Sequence, residues 1–367
     1  MVDIQIYSFN VESLHGVYEV QFINETLMKL TNELIVGDVI IVDNNIYRLY
    51  FNQLFEKIKQ NKVVQIEASE QTKSYEGITP VIQNLIENGF KKHHRIVAIG
   101  GGITQDVAAF ISSVLYRGVD WLFFPTSLLA QGDSCIGSKT SINFGKIKNQ
   151  IGGFYPPRKI FINSEFLNTL SLTEILSGMG EMLHYFVVSG VTDFKFFKNE
   201  FDSAFKNKAV LLSIVLRSLE IKKRFVEIDE FDRKERIVLN YGHSFGHAIE
   251  SVSNYAIPHG IAVAYGMDIA NFVSVKLGFV SELVRQEIRS VLVKVWKGTA
   301  LGEVNVDNLK NALLKDKKNV GSDLRLVLIK GIGTMVVENI LMDDCFTQWL
   351  LEYFGTQVNT NTMSGDV

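Results

Sequence analysis

The spacing of apolar residues divides the chain into a first half of alternating strands and helices and a second half of long helices. In the first half, each short, β-branched apolar run precedes a segment with helical periodicity. Such alternation predicts a parallel, twisted sheet covered by helices. The strand-like runs are 38–42, 63–67 and 95–99, and the helix-like segments are 46–60, 75–89 and 106–115.

After about Leu170 the pattern becomes mostly helical, and only two late runs resemble the strands of a hairpin. We therefore expect an α/β domain over residues 1–170, a mostly α-helical domain over 171–354, and a polar, disordered tail over 355–367. The helical patterns are 172–188, 205–225 and 238–253, and the hairpin-like runs are 324–330 and 333–338.

Composition and charge narrow the class of protein. A chain of 367 residues with 47% hydrophobic composition suits about two domains. Its net charge of -3 disfavours nucleic-acid and anionic-membrane partners, but a small phosphorylated ligand is still possible. The two cysteines form no CxxC motif, and neither a signal peptide nor a membrane-spanning run is evident. These features predict a cytoplasmic protein.

A cluster of three glycines, Gly100–Gly102, follows a predicted strand and precedes a predicted helix. Glycines let the backbone approach a phosphate closely, and a helix N-terminus offers N–H donors to it. The cluster is equally compatible with a tight turn, because the GxGxxG fingerprint is absent. Asp43 ends an earlier strand, where a carboxylate can bind a ribose hydroxyl or cap the next helix.

The histidines suggest a metal site. His243 and His247 are four residues apart on one helix face, and His259 follows twelve residues after His247. Glu181, in an otherwise apolar helix, could add a carboxylate ligand. A solvent-facing pair or a buried structural histidine is the alternative, and the absence of HExxH argues against a zinc protease.

Lysines beside glycine and hydroxyl residues form a third cluster. Lys139, Lys148 and Asn149 lie between apolar runs and glycines, and such groups suit a phosphate. Charges in loops are usually solvated, but the flanking apolar residues indicate that at least Lys139 points into a pocket.

Several ordered motifs between about residue 40 and residue 340 resemble those of the dehydroquinate synthase family of sugar-phosphate cyclases. The resemblance implies a Rossmann-like N-terminal domain that binds NAD and a helical C-terminal domain that binds a metal. The motifs are Glu70–Lys73, Gly100–Asp106, Tyr116–Gly118, Pro125–Asp133, Gly137–Thr140, Lys148–Asn149, Gly180–Glu181, Arg236–Asn240, Gly242–His247, His259–Gly260 and Asp316–Lys318.

The resemblance also implies the chemistry. Zinc, or another divalent metal such as cobalt, would be held by Glu181, His243 and His259, with His247 facing the substrate. Three protein ligands leave coordination positions open for substrate hydroxyls. The implied reaction converts a seven-carbon keto-acid phosphate to 3-dehydroquinate with loss of phosphate, and NAD is oxidant and reductant in turn.

Two further sets of residues carry over from the family. The substrate set includes an arginine from a second subunit, which implies a homodimer. The substrate residues are Asp133, Lys139, Asn149, His184, Lys222, Arg236, Asn240, His247, Lys317 and Arg117. The cofactor residues are Asp43, Glu70, Lys73, Gly101, Gly102, Ile103, Asp106, Thr126, Ser127, Lys139, Lys148, Phe166 and Thr169.

The chain departs from the family pattern at three positions. His184 stands where the family usually has lysine, and Gln105 and Ser138 each replace a glycine. Lys222 and Arg236 are both present and favour a substrate with a carboxylate. The alternatives are a diverged cyclase with an aminated or carboxylate-free substrate, a polyol dehydrogenase of the same fold, and a non-catalytic relic.

Overall fold

A computed structural model describes residues 7–58, 61–145, 147–314 and 323–362. The strands are β1 (Ser8–Val11), β2 (Tyr18–Phe22), β3 (Val39–Asp43), β4 (Lys62–Ile66), β5 (Ile96–Gly100), β6 (Trp121–Pro125), β7 (Lys139–Phe144), β8 (Ile147–Phe154), β9 (Lys159–Ile162), β10 (Asp323–Gly331) and β11 (Thr334–Leu341). The helices are α1 (Thr26–Glu33), α2 (Asn44–Leu49), α3 (Tyr75–Glu87), α4 (Gly102–Val114), α5 (Leu172–Ser189), α6 (Val191–Ala204), α7 (Lys208–Ile228), α8 (His243–Val252), α9 (His259–Lys276), α10 (Glu282–Val295), α11 (Val306–Leu314) and α12 (Asp344–Thr362).

The chain forms two compact units. The first comprises Met1–Ser171 and Ala204–Phe231, and the second comprises Leu172–Ser203 and Asp232–Val367. The first boundary falls one residue after the one that the sequence predicts. The predicted helical domain over 171–354 needs a correction, because residues 204–231 return to the first unit.

Helix α7 accounts for this correction. Its Ser218 hydroxyl donates to the Gly132 carbonyl at 2.8 Å, and Lys222 forms an ion pair with Asp133. Helical periodicity shows that one face of α7 is buried, but it does not show which surface covers that face. The partner of α7 was therefore not predictable from periodicity.

A seven-stranded sheet forms the centre of the first unit. Its strand order is β1-β2-β9-β6-β5-β3-β4, and every neighbouring pair except β1–β2 is parallel. All five residues of β3, β5 and β6 are buried, as expected for parallel strands covered on both faces. The parallel sheet and strands β3, β4 and β5 confirm the prediction, whereas β1, β2 and β6 to β9 were not predicted.

The predicted helix over 46–60 is wrong in its length and start. Helix α2 begins at Asn44, because the Asp43 carboxylate caps it by accepting from the Asn45 N–H at 2.6 Å. It ends at Leu49, and a separate helical turn covers Phe51–Phe55. Both segments bury apolar residues in the same core, so one periodic pattern spans two short elements.

Helices dominate the second unit, and the predicted hairpin is confirmed as β10 and β11, which pair antiparallel. Helix α9 is buried on nearly all sides. The predicted disordered tail is wrong for residues 355–362, because α12 continues through Thr362. Among the described residues, none of the helices combines the length and apolar character needed to cross a bilayer.

Candidate active site

Two glycines bring the carboxylate of Glu181 to the start of helix α9. A Cβ atom on Gly260 would lie 1.8 Å from the Ser177 carbonyl oxygen, and one on Gly180 would lie 2.3 Å from the Gly260 carbonyl oxygen. Only glycine at both positions lets α5 and α9 approach so closely. Because His259 is the first residue of α9, this approach places its ring beside Glu181, whose side chain is buried.

A left-handed glycine sets the start of helix α8. Gly242 has φ +81°, and a Cβ atom there would lie 2.6 Å from the Met267 side chain. The predicted helix over 238–253 is therefore too long, since its first residues form a separate turn that ends at Asn240. Helix α8 begins at His243, and the chain reversal aims that imidazole at Glu181.

Glu181, His243 and His259 converge with a spacing that suits a metal ion. The His243 Nε2 lies 3.3 Å from Glu181 Oε1, and the His259 Nε2 lies 3.4 Å from Glu181 Oε2. Ligand atoms about 2.1 Å from a tetrahedral zinc ion lie about 3.4 Å from one another. Glu181 Oε2 is buried and accepts no hydrogen bond from the described residues. One carboxylate and two imidazoles are ligands that zinc prefers, so the group fits the metal that the sequence implies.

The protonation of Glu181 follows from its neighbours. Burial by itself raises the pKa of the carboxyl group, but attraction to His243 and His259, when protonated, outweighs burial and lowers the pKa below its usual value. The carboxylate is therefore ionised at neutral pH, as metal binding requires.

A further carboxylate, Glu250, was missed by sequence reasoning. Its Oε2 lies 3.1 Å from Nδ1 of His259, and the residues His247, Glu250 and His259 could also ligate a metal. Glu250 is seven residues after His243, a spacing that returns to the same helix face. That spacing was the signal available in the sequence.

His184 is fully buried on α5, one turn after Glu181. Its Nδ1 contacts the Glu181 backbone carbonyl, and its ring lies 5.1 Å from the His243 ring and 3.8 Å from the Tyr185 ring. The departure from the family pattern thus lies directly beside the candidate metal ligands.

Three other predicted substrate residues lie in the second unit. Arg236 is buried, the Asn240 amide donates to the Ile237 carbonyl at 3.0 Å, and His247 is exposed with its ring 5.6 Å from that of His259. Arg325, which was not predicted, helps line a cavity of about 100 Å³ beside Asn240. Lys317 lies outside the described residues.

In the first unit, a β-hairpin carries the predicted phosphate residues. Lys139 begins β7 with an exposed side chain, and Asn149 lies on β8 with φ 54°. The Ser141 hydroxyl donates to Asn149 Oδ1 at 3.0 Å across the hairpin. Sequence reasoning treated this segment as a loop, because its glycines and lysines obscure the strand pattern.

The predicted substrate residues Lys222 and Asp133 form an ion pair that is largely buried. The Lys222 ammonium donates to an Asp133 carboxylate oxygen at 2.6 Å and to the Asp133 backbone carbonyl at 2.8 Å. Arg117 is exposed, has φ 64° and follows helix α4 in a short turn.

Many predicted cofactor residues lie at the carboxyl ends of parallel strands. Asp43 ends β3, Gly101 and Gly102 join β5 to α4, and Thr126 and Ser127 follow β6. These ends share one edge of the sheet, which is where open α/β sheets bind ligands. Ile103 is in the first turn of α4, whose N-terminal N–H groups favour an anion.

Other predicted cofactor residues form two ion pairs. Lys73 lies 2.6 Å from Asp106, and Lys148 lies 2.7 Å from Glu70. Burial raises the pKa of Glu70, but hydrogen bonds from Lys148 and Asn143 lower it below the usual value overall. Burial raises the pKa of Asp106 above its usual value, although Lys73 opposes the change.

The last two predicted cofactor residues, Phe166 and Thr169, belong to one helical turn. Phe166 is fully buried, with its ring 5.1 Å from that of Tyr50, so its backbone is the part it can offer to a cofactor. The Thr169 hydroxyl donates to the Phe166 carbonyl at 3.2 Å.

The fold matches that of solved structures of other enzymes. A solved structure of 2-epi-5-epi-valiolone synthase from Streptomyces hygroscopicus subsp. jinggangensis 5008, with NAD⁺ and Zn²⁺ bound, superposes with a TM-score of 0.81. The alignment covers 94% of this chain and 99% of that one at 22% identity. This likeness confirms the α/β fold with its parallel-dominated sheet and helical C-terminal region.

The chain belongs to the 3-dehydroquinate synthase family. Residues 63–177 match the family model for the 3-dehydroquinate synthase N-terminal domain, and residues 178–319 match the C-terminal one. The 3-dehydroquinate synthase of Thermoanaerobacter sp. (strain X514) is 34% identical over 307 residues, covering 82% of this chain and 86% of that protein. That of Dictyoglomus thermophilum is 36% identical over 305 residues, covering 82% and 85%. The predicted family is thus confirmed.

Proposed function

We propose that the protein converts a linear seven-carbon keto-acid phosphate to 3-dehydroquinate and phosphate, in the cytoplasm, with NAD and a divalent metal. The observation that carries this proposal is the convergence of Glu181, His243 and His259 in a chain of this family. These residues would hold Zn²⁺ or Co²⁺. When bound, the metal supplies Lewis acidity toward a substrate hydroxyl, and NAD supplies a reversible hydride acceptor.

The residues of the first unit have distinct proposed roles. The carboxyl ends of β3, β5 and β6 would bind NAD. Asp43 would face a ribose, and the start of α4 would face the pyrophosphate. Lys139 and Asn149 would bind the substrate phosphate, and Asp133 would accept a hydrogen bond from a substrate hydroxyl. Lys222 would bind the substrate carboxylate, and its ion pair with Asp133 holds the ammonium in a defined position.

In the second unit, Arg236 is proposed to bind the substrate carboxylate and Asn240 a hydroxyl. Arg236 is buried, and its planar guanidinium matches a carboxylate in a bidentate manner. His247 is exposed, with its ring near that of His259, and would contact the substrate.

The assay that tests the proposal follows phosphate release and carbocycle formation together. The expected result is one 3-dehydroquinate per phosphate from 3-deoxy-D-arabino-heptulosonate 7-phosphate, without net NADH. Sedoheptulose 7-phosphate, glucose 6-phosphate and glycerol are the comparison substrates. Turnover of only a carboxylate-free sugar phosphate would replace the proposed substrate, and bulk NADH from glycerol would indicate a polyol dehydrogenase instead.

A diverged cyclase is the second candidate, and His184 is the observation that favours it. The imidazole is shorter than lysine and buried beside the metal ligands, so it changes the groups available near a substrate hydroxyl. We expect His184→Lys to preserve or raise 3-dehydroquinate formation. If neither wild type nor His184→Lys forms it while another sugar phosphate turns over, the substrate has changed.

We also propose a homodimer, in which Arg117 reaches the phosphate of the second subunit. The support is the family resemblance and the exposure of Arg117. Mixing inactive Arg117→Ala chains with inactive Lys139→Ala chains should restore part of the activity, because one kind of mixed site is then complete. Absence of recovery despite measured subunit exchange would count against a shared site.

A further inference from the structure

Glu181, His243 and His259 form the candidate metal group. In each of its two histidines, Nδ1 contacts a hydrogen-bond acceptor, and the two acceptors differ. Nδ1 of His243 lies 3.3 Å from the Tyr241 backbone carbonyl, and Nδ1 of His259 lies 3.1 Å from the Glu250 carboxylate. Both rings direct Nε2 at Glu181. A neutral imidazole that donates from Nδ1 has its lone pair on Nε2, which is the form that binds a metal.

We infer that Glu250 is a positioning residue of the metal centre. Its carboxylate accepts the Nδ1–H of His259, which selects the tautomer and orients the ring so that Nε2 faces the metal. This inference rests on the proposed metal-dependent function, but it concerns metal binding, which can be measured without substrate.

The acceptor at His259 makes this contact stronger than its counterpart at His243. The side chains of Glu250 and His259 are 16% and 32% exposed, so the contact is partly shielded from water. A carboxylate is also a stronger hydrogen-bond acceptor than a backbone carbonyl and makes the ring a more basic ligand. Of the two imidazoles, that of His259 should therefore bind the metal more strongly.

The alternative is that Glu250 is itself a ligand, together with His247 and His259. A neutral imidazole has one lone pair, so His259 cannot bind one metal through Nε2 and a second through Nδ1 while it keeps its ring proton. Its Nε2 already faces Glu181 at 3.4 Å. The geometry therefore assigns Nδ1 the donor role and Glu250 the acceptor role.

The test measures Zn²⁺ and Co²⁺ binding to substrate-free protein by competition with a chromophoric chelator. Glu250→Ala should weaken affinity by about 10- to 100-fold. Glu250→Gln should weaken it less, because the amide oxygen still accepts the ring proton. Glu287→Gln is the control, since Glu287 pairs with Lys198 rather than with a histidine, and it should bind metal as wild type does.

Three outcomes would overturn the inference. Unchanged affinity in both Glu250 variants, with folding verified by circular dichroism, would show that the contact does not position the ligand. A fall from two bound metals to one would make Glu250 a ligand of a second ion. A wild-type protein that binds no divalent metal would overturn both this inference and the proposed function, whereas normal metal binding without cyclase activity would overturn only the latter.

Discussion

The candidate metal group of the second unit (Glu181, His243 and His259) and the proposed anion-binding lysines of the first unit balance their charges in different ways. In the second unit, one buried carboxylate faces two imidazoles at 3.3 and 3.4 Å, a spacing that suits a cation between them. In the first unit, three lysines are each paired with a carboxylate of the same unit. These pairs are Lys73–Asp106 at 2.6 Å, Lys148–Glu70 at 2.7 Å and Lys222–Asp133 at 2.6 Å.

The difference in charge balance determines how each site would respond to a charged ligand. Because neutral imidazoles carry no charge, a metal cation beside Glu181 would balance the charge of the buried carboxylate. An anion that approaches Lys73, Lys148 or Lys222 must compete with an internal carboxylate. We therefore expect the metal group to be the more sensitive to substitution, and the lysines to affect stability as well as binding.

The largest effect is expected at the proposed metal ligands. Glu181→Gln should remove the bound metal and lower kcat/KM by roughly 10³-fold or more, because several kcal/mol of transition-state stabilisation depend on the ion. Metal content and phosphate release measure the two effects. Glu174→Gln, an exposed position on the same helix, is the matched control. Full activity in metal-free protein would refute the proposed role.

A smaller effect is expected at Lys222. Lys222→Met should lower kcat/KM at least about 30-fold, because a specific charge contact with the substrate is lost. It should also destabilise the fold, by up to about 3 kcal/mol, since the largely buried Asp133 carboxylate loses its lysine. Adding Asp133→Asn should restore much of the stability but not the activity. Recovery of both would mean that the pair serves only folding.

The smallest effect is expected at Glu230, which supports the turn before Lys139. Its carboxylate accepts from the Ser138 hydroxyl at 2.7 Å, the Ser13 hydroxyl at 2.6 Å and the Leu14 N–H at 2.9 Å. Ser138 has a left-handed φ of 64°, where the family pattern has glycine. Glu230→Gln should lower the free energy of unfolding by about 1–2 kcal/mol at pH 7.

The difference in free energy of unfolding between wild type and Glu230→Gln should depend on pH. Burial raises the pKa of Glu230, but hydrogen bonds from Leu14, Ser13 and Ser138 lower it overall below the ordinary 4.5. The stabilisation is therefore fully present above pH 4.5 and is lost as the pH falls through the lowered value. Denaturant unfolding of wild type and Glu230→Gln should converge on acidification. A constant difference between pH 7 and pH 4 would contradict this account.

The local sequence pattern was enough to predict several strands and the candidate metal ligands. Buried parallel strands are continuous apolar runs, so β3 and β5 were predictable. The β-branched residues of the outermost strand β4 and the hairpin of β10 and β11 were also predictable. The metal candidates were also predictable, because helical spacing places His243 and His247 on one face and the ordered motifs add Glu181 and His259.

Tertiary structure alone decided which surfaces and charges meet. Periodicity shows that α7 has a buried face, but only the fold shows that this face belongs to the first unit. The contact between Glu250 and His259 spans two helices, and the ion pairs of Lys73, Lys148 and Lys222 join separate segments. Hydrogen bonds and ion pairs depend on distances of about 3 Å between atoms remote in sequence. Such distances are set by how helices and strands pack, and a one-dimensional pattern does not contain them.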